Sequence, residues 1–75
     1  MTPPPSVHRP PLEDLAALAH EWIRAHPGHN TESIAQEMTH ENPLLDYKEL
    51  VNAIEFLVWN DYAARDEHLR IFYRE

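Results

Sequence analysis

Cysteine is absent from this chain of 75 residues, and glycine occurs once, at Gly28. Without thiols there is no disulfide framework, no thiolate nucleophile and no cysteine-ligated zinc. With one glycine there is no glycine-rich loop to cradle a phosphate and no Walker pattern. Basic residues are scarce too: six Lys and Arg stand against thirteen Asp and Glu, a formal charge of −7 with neutral histidines. Affinity for nucleic acid rests largely on neutralising phosphates, so this balance argues against DNA as the main partner, although a local basic edge can act alone. No apolar run approaches the roughly 18–20 residues a membrane span needs. The first residues show no charged-then-apolar targeting pattern. A soluble, cytoplasmic chain is the expectation, with no membrane partner.

What remains is enough for one small domain. Apolar residues make up 43% of the chain, sufficient for a single core near the lower size limit of independent folding. Residues 1–11 hold five of the seven prolines and little that can enter a core. They read as a flexible, solvated arm, or as a loosely PxxP-like ligand for an aromatic-lined groove. The domain proper spans residues 12–75. Six histidines move the net charge toward zero between roughly pH 7 and 5.5, so solubility and association are expected to depend on pH there.

The organising stretch is residues 44–60, LLDYKELVNAIEFLVWN. Tyr47, Leu50, Val51, Ile54, Leu57 and Val58 recur at steps of three and four, the apolar stripe of an amphipathic helix centred on Ile54. Asp46 stands near its N-terminus. Upstream, Leu12, Leu15, Ala19, Trp22 and Ile23, flanked by Leu18, predict a first helix opening at Pro11 or Leu12. Glu13 and Asp14 suit its positive end, and it ends near Ala25 or His26, before Pro27 and Gly28. A second helix follows Asn30, whose side chain can cap it, with Ile34, Ala35 and Met38 inward. The segment from Thr39 to Pro43 is expected to break it.

After residue 60 the period changes from helical to alternating. With Asp66 and Glu67 at a hairpin tip, Ala64 opposes Leu69 and Tyr62 opposes Ile71, which puts both apolar sets on one face with Tyr73. The tip has no glycine, so a four-residue loop is expected in place of a tight primed turn. The stretch HPGHNTESIAQEM followed by YKELVNAIEFLVWNDYAARDEHLRIFYRE resembles the winged helix-turn-helix superfamily. That resemblance covers nearly everything after the arm and implies a mainly α fold, three helices and a β-hairpin wing, with room for a short strand only at Gly28 and His29. It also implies a third helix whose outward face enters the DNA major groove and a wing that meets the backbone.

The matching outward positions are Asp46, Lys48, Glu49, Asn52 and Ala53. Between residues 29 and 61 seven carboxylates meet Lys48 alone, a balance of −6. Each carboxylate aimed at phosphate adds repulsion and releases no counterion. The wing is less acidic: Arg65, His68, Arg70 and Arg74 either touch phosphate or pair with neighbouring carboxylates. Lys48 and Asn52, with those four, are the candidate nucleic-acid contacts. Phe56 lies about 160° from Ile54 on a helical wheel, and Trp59 lies between the faces. Both are either covered by the hairpin or arm, or anchors for a partner or a second copy. Phe72, outward on the last strand, supports the second reading, and an exposed last strand can pair with another chain. Glu49, Asn52, Phe56, Trp59 and Phe72 are therefore the candidate partner-binding residues.

Chemistry finds no foothold. His20, His26 and His29 cluster in sequence, but zinc needs further ligands at that turn, and helix-end and surface roles account for them. Ser6 and Ser33 have no histidine–acid arrangement, and the pairs Glu13/Asp14 and Asp66/Glu67 sit at exposed ends. No enzyme activity, cofactor, metal or small-molecule substrate is expected. The leading expectation is an acidic winged-helix regulatory protein that binds a protein partner as adaptor or inhibitor. The alternative is a dimeric DNA-binding transcription regulator using wing and third helix.

Overall fold

The computed structural model describes residues 12–74; the arm expected over residues 1–11 lies outside them. Three helices and a small antiparallel sheet follow in the order α1 (Leu12–Ala25), β1 (His29–Asn30), α2 (Thr31–Glu41), α3 (Tyr47–Trp59), β2 (Ala63–Arg65) and β3 (Arg70–Tyr73). The fold is thus mainly α with a β-hairpin wing, and its layout is compatible with a winged helix. Among the described residues no helix is long and apolar enough to cross a membrane.

Local chemistry sets most of these boundaries. The backbone turns after α1 through Gly28, whose φ of +89° a side chain would strain, and its N–H reaches the carbonyl of Ile71. The Asn30 side chain then accepts from the Ser33 N–H at 2.7 Å and caps α2, as Asp46 caps α3 by accepting from the Glu49 N–H at 3.0 Å. Each cap contributes about 0.5–2 kcal/mol. Helix α2 runs through Thr39 and His40 to Glu41, further than the sequence suggests. The Thr39 hydroxyl donates back to the carbonyls of Ala35 and Gln36, so a residue that often breaks helices is held inside one. At its end α3 closes in a Schellman turn: Asp61 takes the left-handed conformation (φ 61°), while its N–H reaches Val58 and that of Tyr62 reaches Leu57.

The core is one cluster. Leu15, Ile23, Ile34, Leu50, Ile54 and Ile71 are its largest fully buried side chains, joined by Ala16, Ala19, Ala35, Met38, Ala53, Leu57 and Ala63. Trp22 packs against it only partly buried, and Leu12, Leu18 and Tyr47 remain exposed. On α3 the fully buried residues are Leu50, Ala53, Ile54 and Leu57. The arc is therefore centred about 50° away from Ile54, toward Ala53 and Leu57. Ala53, expected to face outward, is completely buried. The reason is α1, the principal packing partner of α3: small side chains at Ala16, Ala19 and Ala53 let two helix axes come close.

The sheet also departs from expectation. Its strand order is β1-β3-β2, so β3 is central, paired with β2 on one side and with β1 at Arg70 and Ile71 on the other. The register pairs Ala63 with Tyr73, Ala64 with Phe72 and Arg65 with Ile71, not Ala64 with Leu69 or Tyr62 with Ile71. Leu69 causes the shift. The Leu69 N–H bonds the Asp66 carbonyl, closing a turn, and Leu69 then adopts φ 64° before the Asp66 N–H meets the Arg70 carbonyl. A left-handed residue after a turn moves the second strand along relative to a symmetric tip. Ala63, not Tyr62 or Ala64, consequently faces the core, while Tyr62 and Leu69 are exposed.

Two substitutions test this packing by urea unfolding. Ile54→Ala is expected to cost about 2–5 kcal/mol. Ala53→Leu, harmless if residue 53 faced solvent, is expected to cost about 1–3 kcal/mol by overpacking the contact with α1. A loss below about 0.5 kcal/mol in either would place the buried arc elsewhere.

Candidate partner-binding surface

Rotating the buried arc of α3 changes which of its side chains are free. Lys48, Asn52, Glu55 and Trp59 now form the outward stripe, at steps of four, three and four. Trp59 is 82% exposed. Phe56 is half-buried against the core, on the flank of α3 in a shallow depression shared with Ala16, Ala17, His20, Leu57 and Tyr62. It lies about 110° from the centre of the buried arc, not opposite it. Glu49 and Asn52 line a smaller recess with Leu12 and Leu15 of α1. Phe72 is on the other face of the sheet from Ile71, beside Gly28 and under the Arg70 guanidinium, 6.0 Å from the ring centre. Of the five residues singled out as partner-binding, Glu49, Asn52, Phe56 and Trp59 follow one another along α3 at steps of three and four, while Phe72 stands on β3.

The candidate nucleic-acid contacts separate into two kinds. Lys48 and Asn52 are exposed on α3. Every arginine of the hairpin region is instead engaged by a carboxylate of the same chain. Arg65 Nη1 meets Glu55 Oε2 at 2.6 Å, with both side chains about one-third exposed. Arg70 Nε meets Asp66 Oδ2 at 2.8 Å, and Arg74 reaches Asp61 at a looser 3.7 Å. The first two are short, charge-assisted contacts; the third is solvated and contributes little. His68 is exposed at the tip, its backbone N–H donating to Asp66 Oδ1.

Asp66 organises the wing tip. Its Oδ1 accepts the N–H groups of His68 and Arg70 while Oδ2 holds the Arg70 side chain. Loss of hydration acts to raise its pKa, but the Arg70 backbone N–H, the Arg70 side chain and the His68 N–H together outweigh it, so the carboxyl titrates below its ordinary value. Sequence reasoning placed Asp66 at the tip and missed this role; an aspartate two residues before one amide and four before another was the available signal.

The groove that the wing closes runs between the start of α2, the outer side of α3 and the hairpin. It is lined by Asn30, Thr31, Glu32, Val51, Glu55, Arg65 and Leu69, with a volume of about 480 Å³. Sequence analysis missed Glu32, Val51, Glu55 and Leu69 as members of one surface, because they come from three elements.

The histidines are occupied in ordinary ways. His26 stacks on Trp22 at 4.2 Å, and its Nδ1 donates to the Trp22 carbonyl. His20 Nε2 donates to the Tyr62 carbonyl at 2.9 Å while its ring stacks on Tyr73, tying α1 to both ends of the hairpin. Among the described residues no three histidine, aspartate or glutamate side chains converge as metal ligands.

The Asp66 network makes a pH-dependent contribution to stability. Because its pKa is lowered on folding, that contribution is complete above the ordinary aspartate value of about 3.9 and fades as the pH falls through the folded-state value. Asp66→Asn is therefore expected to lower the melting temperature near neutral pH, with the difference from wild type shrinking below about pH 4. A difference that stays constant down to pH 2 would show that the carboxylate charge is not what holds the tip.

No protein-family model, curated protein or solved structure matches this chain.

Proposed function

We propose that this chain is a small winged-helix module that binds another protein and carries out no chemistry of its own. One observation carries the reading: acids outnumber Lys48 seven to one between residues 29 and 61, and Arg65 and Arg70 of the hairpin are already held by Glu55 and Asp66. A phosphate arriving at the wing must displace a carboxylate from Arg65 and from Arg70, so less net charge neutralisation remains to drive binding. A basic protein surface meets instead carboxylates outside these pairs, such as the exposed Glu32, and the exposed Trp59 offers it a large apolar contact. The module acts in this reading as an adaptor or inhibitor, including of proteins whose own task is to bind nucleic acid. The DNA-binding alternative has one point in its favour, the exposure of Lys48 and Asn52 on the outer stripe of α3, since asparagine can read adenine.

Titration of labelled duplex at about 0.15 M salt separates the two. No binding is expected in the specific range of about 10⁻⁸–10⁻¹¹ M, and only weak, salt-sensitive binding at lower ionic strength. Nanomolar affinity that falls on Arg70→Ala or Lys48→Ala would replace the protein-binding reading with the DNA-binding one.

A further inference from the structure

Leucine is a poor choice for a left-handed backbone, because its Cβ crowds the chain there. Leu69 nevertheless has φ 64° at the one position of the wing turn where glycine is the usual solution. It gains little burial in return, being 62% exposed. The turn around it is rigidly specified by the Asp66 bonds to His68 and Arg70 and by the Leu69 N–H bond to the Asp66 carbonyl. A residue that breaks a local rule, without a packing gain, in a tightly determined turn points to a use outside the fold.

Leu69 lines the groove between α2, α3 and the wing, together with the half-buried Val51. The polar lining is acidic in balance. Glu32 is exposed and has no ionic partner among the described residues, and Glu55 holds Arg65 through Oε2, which leaves Oε1 to a further donor. One turn beyond Glu55 on the same stripe stands Trp59, whose exposed ring can take a guanidinium or ammonium on its face. Charge decides the occupant. A second copy of a chain with net charge −7 would bring like charges together, and duplex phosphates would meet Glu32 and Glu55. A positively charged segment with an apolar side chain is complementary to both halves of the lining.

We propose that this groove docks a short basic segment of a partner protein, with Leu69 and Val51 gripping one apolar side chain and Glu32, Glu55 and Trp59 receiving Lys or Arg on either side. The inference rests on the protein-binding reading above and names the surface and the chemistry of the partner.

Short fluorescent peptides test it on the full chain by anisotropy at physiological salt. One carries Lys and Arg around a single Leu; a second has Ser in place of that Leu; a third has Glu in place of the cations. Only the first is expected to bind, more weakly as salt is raised. Leu69→Gly is the decisive variant. It relieves the backbone, so its melting temperature should equal or exceed that of wild type, while affinity for the first peptide falls about tenfold or more. Glu32→Lys should weaken the same peptide and leave folding intact.

The proposal is overturned if the basic peptide does not bind, if the Ser or Glu peptides bind as well as it does, or if Leu69→Gly leaves affinity unchanged. It is also overturned if Leu69→Gly lowers the melting temperature, which would make Leu69 a packing residue. Two results tell its failure apart from that of the broader reading. Peptide binding that survives Leu69→Gly but not Trp59→Ala removes the groove and keeps a protein-binding module. Nanomolar binding of duplex with none of the peptide removes both.

Discussion

Helix α3 must satisfy three neighbours at once, and the structure follows from how it does so. Thirteen residues long, it packs against α1, α2 and β2. Leu50, Ala53, Ile54 and Leu57 meet that demand by complete or nearly complete burial. Fixing this arc fixes the rotation of the helix, and rotation decides everything displayed on its far side. Val51 and Val58 fall to one flank and Phe56 to the other, leaving Lys48, Asn52 and Trp59 to solvent and Glu55 to Arg65. An arc centred on Ile54 would instead turn the phenyl ring of Phe56 to solvent. Core packing and surface chemistry are thus one choice.

The wing is set by electrostatics more than by burial. Only Ala63 and Ile71 of its strands are fully buried, too little to define a hairpin by itself. Pairing with β1 through β3, the Asp66 bonds at the tip, the Arg65–Glu55 contact to α3 and the His20 bond from α1 supply the remaining restraints. The guanidinium groups of Arg65 and Arg70 are part of the structure, each held by a carboxylate of the same chain. Layout alone says nothing of partner, since one scaffold serves many tasks.

Strain and exposure coincide at the wing tip. Asp61 and Leu69 are the two non-glycine residues with positive φ among those described. Asp61 is accounted for by the helix-ending turn it makes, where a short polar side chain tolerates the conformation. Leu69 has no such account within the fold. It is where local preference and tertiary structure disagree most, and it borders a groove that joins α2, α3 and the hairpin.

Much of this was legible in the sequence. Apolar residues at steps of three and four placed all three helices, because a helix that must bury one side writes that period into its residues. Asn30 and Asp46 marked helix starts, and Pro27 with Gly28 marked a stop, since capping and φ restrictions act between near neighbours. The excess of acid over base was plain from composition. What the sequence left open was decided between elements. Alanine is a good helix former on any face, so nothing local showed that Ala53 faces α1 or that the buried arc is turned away from Ile54. The hairpin register depended on a left-handed leucine, which no propensity anticipates. The groove joins Glu32, Val51, Glu55 and Leu69 only because α2, α3 and the wing meet. Short-range chemistry is written along the chain; which faces turn toward one another is settled by packing across it.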